Sequence, residues 1–509
     1  MDEYIDSLID DIGNIDLKES NNESNNKSNN ESNNESNNEL KESINIGKNE
    51  NTEPLTRIQI DPYDYDEIRI GMLGNVDAGK STITGVLVKN VLDDGRGSVR
   101  KHIMRYPHEI ERGQTSSVVQ HHIRQDSDGK IISFTDLAGH EKYLKTTIGG
   151  IKRCFIEYAA LVIAANKGIP IVDGKGTKHM NMTKEHISII NSINLPSFII
   201  LTKIDMVDKS ITLNAIQSIK DYYNKKKMDS RRKILLIKGE SDLELVNAYY
   251  QTGDYYKPLP IFPVSAVTGK GIDVLKKYIM EYLVPIKSYV EKKNEPVKFI
   301  IDCKYMVQGI GRVVSGLLTS GSIHASSVKG QNLKIGPIQG KYYNVKVGTI
   351  HNNFRENIPI LYAGQSGCLQ LKSNEIKLSE RCFNKGTVIT QTPKLIKEFK
   401  AEVKILTTHH TTIQLKYQPT INCEGISQCA RVKNITNIES SNLKNIDKNN
   451  CSNNCSNNSE IDTNVSISGG DRAIIHFEFI NHPEPLEVDS ILVFREGKTR
   501  GIGKVIETY

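Results

Sequence analysis

The stretch Gly74-Asn75-Val76-Asp77-Ala78-Gly79-Lys80-Ser81, with Thr82 directly behind it, decides how the rest of the chain is read. It fits the phosphate-loop pattern G-x-x-x-x-G-K-[ST]. An apolar, strand-like run from Ile68 to Leu73 precedes it, and a helix is expected over Thr82 to Leu92. Strand, loop and helix in that order form the context in which the pattern binds phosphate. Glycines at 74 and 79 let the backbone wrap close to phosphate oxygens and aim successive N–H groups inward at a helix N-terminus. Lys80 would then neutralise the β and γ phosphates, and the Ser81 hydroxyl would ligate Mg²⁺.

Outward from this loop, Tyr65 to about Glu291 alternates between two textures. Strands are expected at Ile68–Leu73, Lys130–Thr135, Ala159–Ala165, Ser197–Leu201, Ile234–Ile237 and Ile261–Val264, with helices such as Thr183–Asn194 and Ile272–Tyr282 between them. That alternation predicts an α/β domain with a mostly parallel sheet and helices on both faces. Ligands of such sheets bind at the carboxyl ends of the strands.

Three further motifs fall there. Asp136-Leu137-Ala138-Gly139-His140 follows the second strand; its carboxylate can hold Mg²⁺ through a water, the Gly139 N–H can bond a γ-phosphate, and His140 can orient attacking water. Thr202-Lys203-Ile204-Asp205 ends a later strand, and one Asp205 carboxylate can accept from both N1–H and the 2-amino group of guanine, a donor pair that adenine lacks. Ser265-Ala266 closes the last strand and offers a backbone N–H to guanine O6. Between the phosphate loop and Asp136 lies an irregular stretch, Asp93 to Ser117, ending in Glu111-Arg112-Gly113-Gln114-Thr115. A threonine in a mobile loop can complete the Mg²⁺ shell only while a γ-phosphate is present, so Thr115 is a candidate switch.

After Glu295 the pattern changes to short alternating runs, such as Lys298–Cys303, Arg312–Leu318 and Tyr343–Ile350, separated by Gly, Asn and Ser turns. These predict two β-barrel or sandwich modules divided near Thr392-Pro393-Lys394. The domains expected are an acidic Asn/Ser-rich tail over 1–64, an α/β domain over 65–292, and β-barrels over 296–394 and 395–509, the last with a disordered insert at 437–468. Residues 19–39 repeat Glu/Lys-Ser-Asn-Asn, have nothing to bury and are expected to be disordered. Ahead of them Ile5, Leu8, Ile9 and Ile12 lie at helical spacing, a pattern that fits transient structure in a tail better than a docking helix.

Among 509 residues the net charge of +6 hides an asymmetry. Residues 1–66 hold 17 Asp or Glu against 5 Lys or Arg, a balance of −12, which leaves +18 on the remainder. A basic body with an acidic tail suits a polyanionic partner such as RNA. No apolar run is long enough to cross a bilayer, and Met1-Asp2-Glu3-Tyr4 is acidic where a signal peptide is basic. Eight scattered cysteines predict free thiols and a cytoplasmic protein. Cys451 and Cys455, with no neighbouring histidine, make a poor metal site, and His409 with His410 form no metal constellation. Two basic clusters, Lys225–Lys227 with Arg231–Lys233, and Arg96 with Arg100, Lys101 and Arg105, are candidate RNA contacts, the first also readable as a solvated helix end.

The motifs GNVDAGKS, RGQT, DLAGH, TKID and SA resemble the five motifs of the translational GTPases of the elongation factor Tu class. Leu92-Asp93-Asp94-Gly95-Arg96-Gly97, His108–Glu111, Leu137–Thr147, Met182-Thr183-Lys184-Glu185-His186 and Val493–Gly497 are similar to the GTP-binding protein 1 family of elongation-factor-like GTPases. The resemblance covers roughly 65–436 and 469–509.

It implies a monomeric GTPase that uses GTP/GDP and Mg²⁺ and engages tRNA and the ribosome. The phosphates and Mg²⁺ would be held by Lys80, Ser81, Thr115 and Asp136, the hydrolytic water by His140, guanine by Lys203 and Asp205, and a monovalent cation by Asp77. Thr202 stands where the family usually has Asn, which removes an amide that bonds guanine N7 and the phosphate loop and implies weaker nucleotide binding. Ala78 replaces a histidine of elongation factor Tu. Gln114 replaces an apolar gate residue, leaving Val76 as half of the gate over His140. Gly309-Ile310-Gly311-Arg312-Val313-Val314-Ser315-Gly316 resembles the barrel hairpin that helps hold the aminoacyl end of tRNA, although barrel turns demand such glycines equally well. The alternatives are a ribosome-rescue or mRNA-surveillance GTPase carrying a protein adaptor, and a non-hydrolysing scaffold that keeps nucleotide only for folding.

Overall fold

The computed structural model describes residues 61–104, 119–125, 129–137, 155–168, 182–192, 194–225, 232–286, 289, 291–328, 330–338, 340–375, 386–405, 413–423, 426–439, 466–468, 471–496 and 499–509. Seven strands form the first sheet: β1 (Glu67–Gly74), β2 (Val119–Arg124), β3 (Ile131–Asp136), β4 (Tyr158–Ala164), β5 (Ser197–Thr202), β6 (Lys233–Leu236) and β7 (Pro258–Pro263). Their spatial order is β2-β3-β1-β4-β5-β7-β6. All neighbours are parallel except β2, which pairs antiparallel with β3 at the edge.

The central strands are buried on both faces, which is why β4 and the middle of β5 read as near-continuous apolar runs, while Glu67 and Arg69 of β1 and Ser133, Thr135 and Asp136 of β3 are buried polar groups. Side chains alternate between two cores. On one face Leu73, Leu161 and Ile199 pack with Ile187 of α3 (Met182–Ser192) and Ile219 of α4 (Lys209–Lys225). On the other, Ile70, Val162 and Ile200 pack with Val86 of α1 (Lys80–Lys89). Val246 of α5 (Leu243–Gln251) and Leu275 of α6 (Ile272–Lys277) complete that second core. A short α2 (Ser98–Lys101) follows α1.

Two expectations change. Strand β2 was absent from the sequence reading because Gln120, His121 and His122 interrupt its apolar pattern; as an edge strand it has less apolar surface to bury. Helix α1 stops at Lys89 and not at Leu92, because Asn90 turns left-handed (φ 55°) and its N–H closes on the Val86 carbonyl.

Beyond the sheet lie two six-stranded closed β-barrels. The first joins β8 (Lys298–Val307) and β9 (Gly311–Ser320) to Leu333–Ile338, Lys341–His351, Ser366–Lys372 and Val388–Thr390. The second joins Glu398–Ile405, Thr420–Cys423, Ile426–Glu439, Arg472–Phe479, Ile491–Glu496 and Thr499–Thr508. The strands Ile426–Glu439 and Ser466–Ile467 occupy both ends of the stretch 437–468 that the sequence suggested was all insert. Residues 1–60, 440–465, His409 and His410 lie outside the described residues.

The sheet is fastened to the first barrel by buried charge. Arg69 on β1 donates to the Gly364 carbonyl (2.8 Å), to Glu157 (3.1 Å) and to the Phe155 carbonyl (3.2 Å). Glu67, two residues earlier on the same face, accepts from the Ser366 N–H (2.7 Å) and from the Ser133 hydroxyl (2.7 Å). Gln365 between them donates its amide to the Tyr63 and Tyr65 carbonyls. The strand that feeds the phosphate loop is therefore also the strand that grips the barrel.

Candidate functional site

The residues singled out in the sequence converge at the carboxyl ends of β1, β3, β5 and β7. Gly74 leaves β1 with φ 144°, and a Cβ there would collide with the Val162 carbonyl, so the first turn of the phosphate loop requires glycine. The loop Asn75, Val76, Asp77, Ala78 then leads through a left-handed Gly79 into α1. Lys80 is only 8% exposed, and its ammonium donates to the Gly74 carbonyl (3.2 Å) and the Asn75 carbonyl (2.9 Å). Burial holds that ammonium below the usual lysine value, with Asp136 and Asp77 working against the shift. A cation partly stripped of water inside an N–H-rich loop is a phosphate receptor.

Next to it, the Ser81 hydroxyl donates to Asp136 Oδ2 at 2.6 Å. A hydroxyl from the helix start and a carboxylate from the end of β3, brought together beside a lysine, are the donor set that suits Mg²⁺ on a nucleotide. Thr82 is half-buried in the first turn of α1.

On β5, Thr202 is 2% exposed and its hydroxyl donates to the Ala78 carbonyl (2.6 Å). This corrects the expectation from the Asn-to-Thr departure: the tie between this motif and the phosphate loop is kept, by a hydroxyl in place of an amide. Thr202→Val should leave the Ala78 carbonyl short of a donor, cost about 1–2 kcal/mol in urea unfolding and weaken nucleotide binding severalfold. Unchanged binding would show that the tie does not hold the loop. Lys203 then turns left-handed (φ 61°), and Asp205 lies half-buried in the short helical turn Ile204–Met206.

Beyond β7, the Ser265 hydroxyl accepts from the N–H groups of Val267 (3.3 Å) and Thr268 (3.1 Å), which shapes the loop that Ala266 sits in. Thr115, Gly139 and His140 lie outside the described residues, as does Gln114.

The model of the elongation factor Tu GTP-binding domain matches residues 66–285. GTP-binding protein 2 of Homo sapiens is 31% identical over 481 residues, covering 90% of this chain and 72% of that protein. The chain belongs to the GTP-binding protein 1 and 2 family of elongation-factor-like GTPases. GTP-binding protein 1 of Xenopus laevis is 33% identical over 481 residues; the match covers 89% of this chain and 65% of that relative, so the chain spans just under two thirds of its length. A crystal structure of a bacterial selenocysteine-specific elongation factor has the same fold, with a TM-score of 0.59 at 19% identity, covering 87% of this chain and 58% of that one. GTP hydrolysis is the activity of the family.

Several residues have surroundings that their sequence context alone does not show. His186 on α3 is 1% exposed, and neither ring nitrogen has a hydrogen-bond partner among the described residues. Burial, reinforced by the Lys80 charge, pushes its pKa down to about 3, so the imidazole is neutral at physiological pH. Its burial was legible, because Met182, His186 and Ile190 recur every four residues on one helix face. The unfolded chain takes up this proton below about pH 6.5, so native stability falls as pH drops from there toward 3, by up to about 1.4 kcal/mol per pH unit. His186→Phe should flatten that slope in urea unfolding at pH 7 and pH 4.5; an equal slope would contradict it.

Arg232, grouped by sequence with a basic cluster, is buried instead and donates to the Leu195 carbonyl (3.1 Å) and the Ser197 hydroxyl (3.0 Å), a structural role. Lys226, Lys227, Arg231 and Arg105 lie outside the described residues. Among the described residues no group of His, Cys, Asp and Glu forms a metal site, Cys303, Cys368, Cys423 and Cys429 form no disulfide, and no helix is long and apolar enough to cross a membrane.

Proposed function

We propose that this chain is a GTP-driven switch that engages tRNA and the ribosome. The observation that carries the reading is the contact between Ser81 and Asp136 beside Lys80, an arrangement suited to a nucleoside triphosphate and its metal. The phosphate site is Gly74, Asn75, Val76, Asp77, Ala78, Gly79, Lys80, Ser81 and Thr82. Ser81, Thr115 and, through water, Asp136 would hold Mg²⁺, which would supply positive charge against the phosphates. Lys80 does the same from the loop, Gly139 bonds the γ-phosphate, and His140 orients water for attack. Thr202, Lys203, Asp205, Ser265 and Ala266 read guanine, and Asp77 recruits a monovalent cation.

The working parts are the units 65–292, 296–394 and 395–509, in a cytoplasmic monomer. A polyanionic partner is supported by the +18 balance beyond residue 66, and the exposed Tyr305, Met306 and Ile310 at the tip of the β8–β9 hairpin offer apolar faces for a nucleic-acid base. Gly316 in that hairpin also has a structural reason, since a Cβ would strike the Ile300 carbonyl.

Phosphate release from GTP tests the reading, with the chain alone and with ribosomes and aminoacyl-tRNA. Slow intrinsic turnover accelerated at least tenfold by ribosomes is expected, because no arginine is assignable as a built-in finger. Retention of a release-factor-like protein instead of aminoacyl-tRNA by the GTP-bound chain would favour the adaptor-carrying alternative. No phosphate release even with ribosomes would make the chain a nucleotide-bound scaffold.

A further inference from the structure

The motif Leu92-Asp93-Asp94-Gly95-Arg96-Gly97 has no part in the chemistry above, yet it is built more tightly than a connecting loop needs to be. Asp93 is 7% exposed, and its carboxylate gathers three backbone N–H groups: Gly95 and Gly97 on Oδ2, both at 3.0 Å, and Val99 on Oδ1 at 3.1 Å. The neighbouring Asp94 carboxylate accepts from the N–H groups of Arg96 (2.9 Å) and Ser98 (3.1 Å) but faces solvent. Only Asp93 reaches a second element. Its own N–H donates to the Ala266 carbonyl at 2.9 Å, in the loop beyond β7. Side-chain packing repeats the contact, with Leu92 against Gly269 and Val267 against Gly95. Val99, 2% exposed, anchors the far end of the motif against Gly85 of α1.

We propose that Asp93 is a positioning residue for guanine-nucleotide binding: by folding residues 93–99 around its carboxylate, it presents its N–H to Ala266 and holds the base-reading loop shut over the nucleotide. A carboxylate that satisfies three N–H groups at once fixes the peptide that carries its own N–H, so the turn itself orients the Ala266 contact. Opening the base-reading loop to release GDP then requires breaking this packed turn as well.

This inference rests on the guanine site proposed above, and the test separates the two. Dissociation of a fluorescent GDP analogue is measured by chase with excess GDP for the wild-type chain and for Asp93→Ala, Asp93→Asn and Asp94→Ala, alongside kcat at saturating GTP. Asp93→Ala is expected to release GDP about tenfold faster with kcat within about twofold. Asp94→Ala should match wild type, and Asp93→Asn should recover part of the loss because its amide oxygen still accepts. If Asp93→Ala does not fold, the comparison of Asp93→Asn with Asp94→Ala carries the test. Equal dissociation rates for the Asp93 variants and wild type, or equal acceleration by Asp94→Ala, would overturn the role of Asp93. A wild-type chain that binds the GDP analogue no better than an ADP analogue would instead overturn the guanine site itself.

Discussion

Lys80→Ala is expected to lower affinity for GTP and GDP by about 10²-fold or more while leaving the protein folded. The ammonium lies inside the loop, tied to the Gly74 and Asn75 carbonyls and depressed in pKa by burial. A bound β,γ-phosphate replaces those neutral carbonyls with anionic oxygens, and each charge-assisted hydrogen bond gained contributes about 1.5–3 kcal/mol. Two such bonds amount to at least 3 kcal/mol, or about 10²-fold in Kd. Stability should move little or rise, because the substitution removes a desolvated charge with no carboxylate in direct contact among the described residues. Lys80→Arg should not restore binding, since the planar guanidinium is larger than the space between two loop carbonyls. Fluorescence titration with a GDP analogue, paired with thermal melting, checks both halves. Affinity within threefold of wild type would mean that the lysine does not meet phosphate.

Arg69→Ala should have the largest effect on stability, about 3–5 kcal/mol, because it leaves buried carboxylates facing empty space. Arg69 is 1% exposed, and Glu157 lies 3.1 Å from its guanidinium, with Glu67 at 3.8 Å. Those carboxylates hold the guanidinium protonated against the desolvation that opposes it. The same side chain donates to the Gly364 carbonyl of the first barrel, so the loss falls on the join between sheet and barrel. Arg69→Met should be milder, since it fills the volume, yet it still strands Glu157. Urea unfolding followed by circular dichroism measures the change, and limited proteolysis should show cleavage near residues 286–295 earlier in the variant. A cost below about 1 kcal/mol would show that the network is dispensable.

How much of this was legible beforehand depended on what each residue reports locally. Gly74, Lys80 and Ser81 carry a pattern with fixed spacing, and the fold brings Asp136 to Ser81 beside them. Buried strands such as β4 declared themselves by apolar runs, and the barrels by alternation. Strand β2 did not, because an edge strand with half-exposed histidines has neither signal. The Thr202 hydroxyl misled in a different way: a residue comparison registered the missing amide, whereas the distance to the Ala78 carbonyl exists only in three dimensions. The same holds for Arg232, which looks like surface charge in a basic run and is committed to the Leu195 carbonyl. Asp93 offered a partial signal, since Asp ahead of Gly favours a side-chain-to-backbone turn, but its link to Ala266 joins segments far apart in the sequence.

The most direct test of the central claim, that the loop at 74–81 holds a nucleotide whose base is read by Asp205, is a competition titration of wild type and Asp205→Asn against GTP, ATP and XTP. A carboxylate accepts both guanine donors, N1–H and the 2-amino group; an amide offers one acceptor and one donor, which suits the N1–H and C2 carbonyl of xanthine. Wild type should bind GTP and neither ATP nor XTP, and Asp205→Asn should lose about 10²-fold or more for GTP while gaining XTP. Equal binding of GTP and ATP by wild type, or an Asp205→Asn chain that keeps GTP and ignores XTP, would contradict the account.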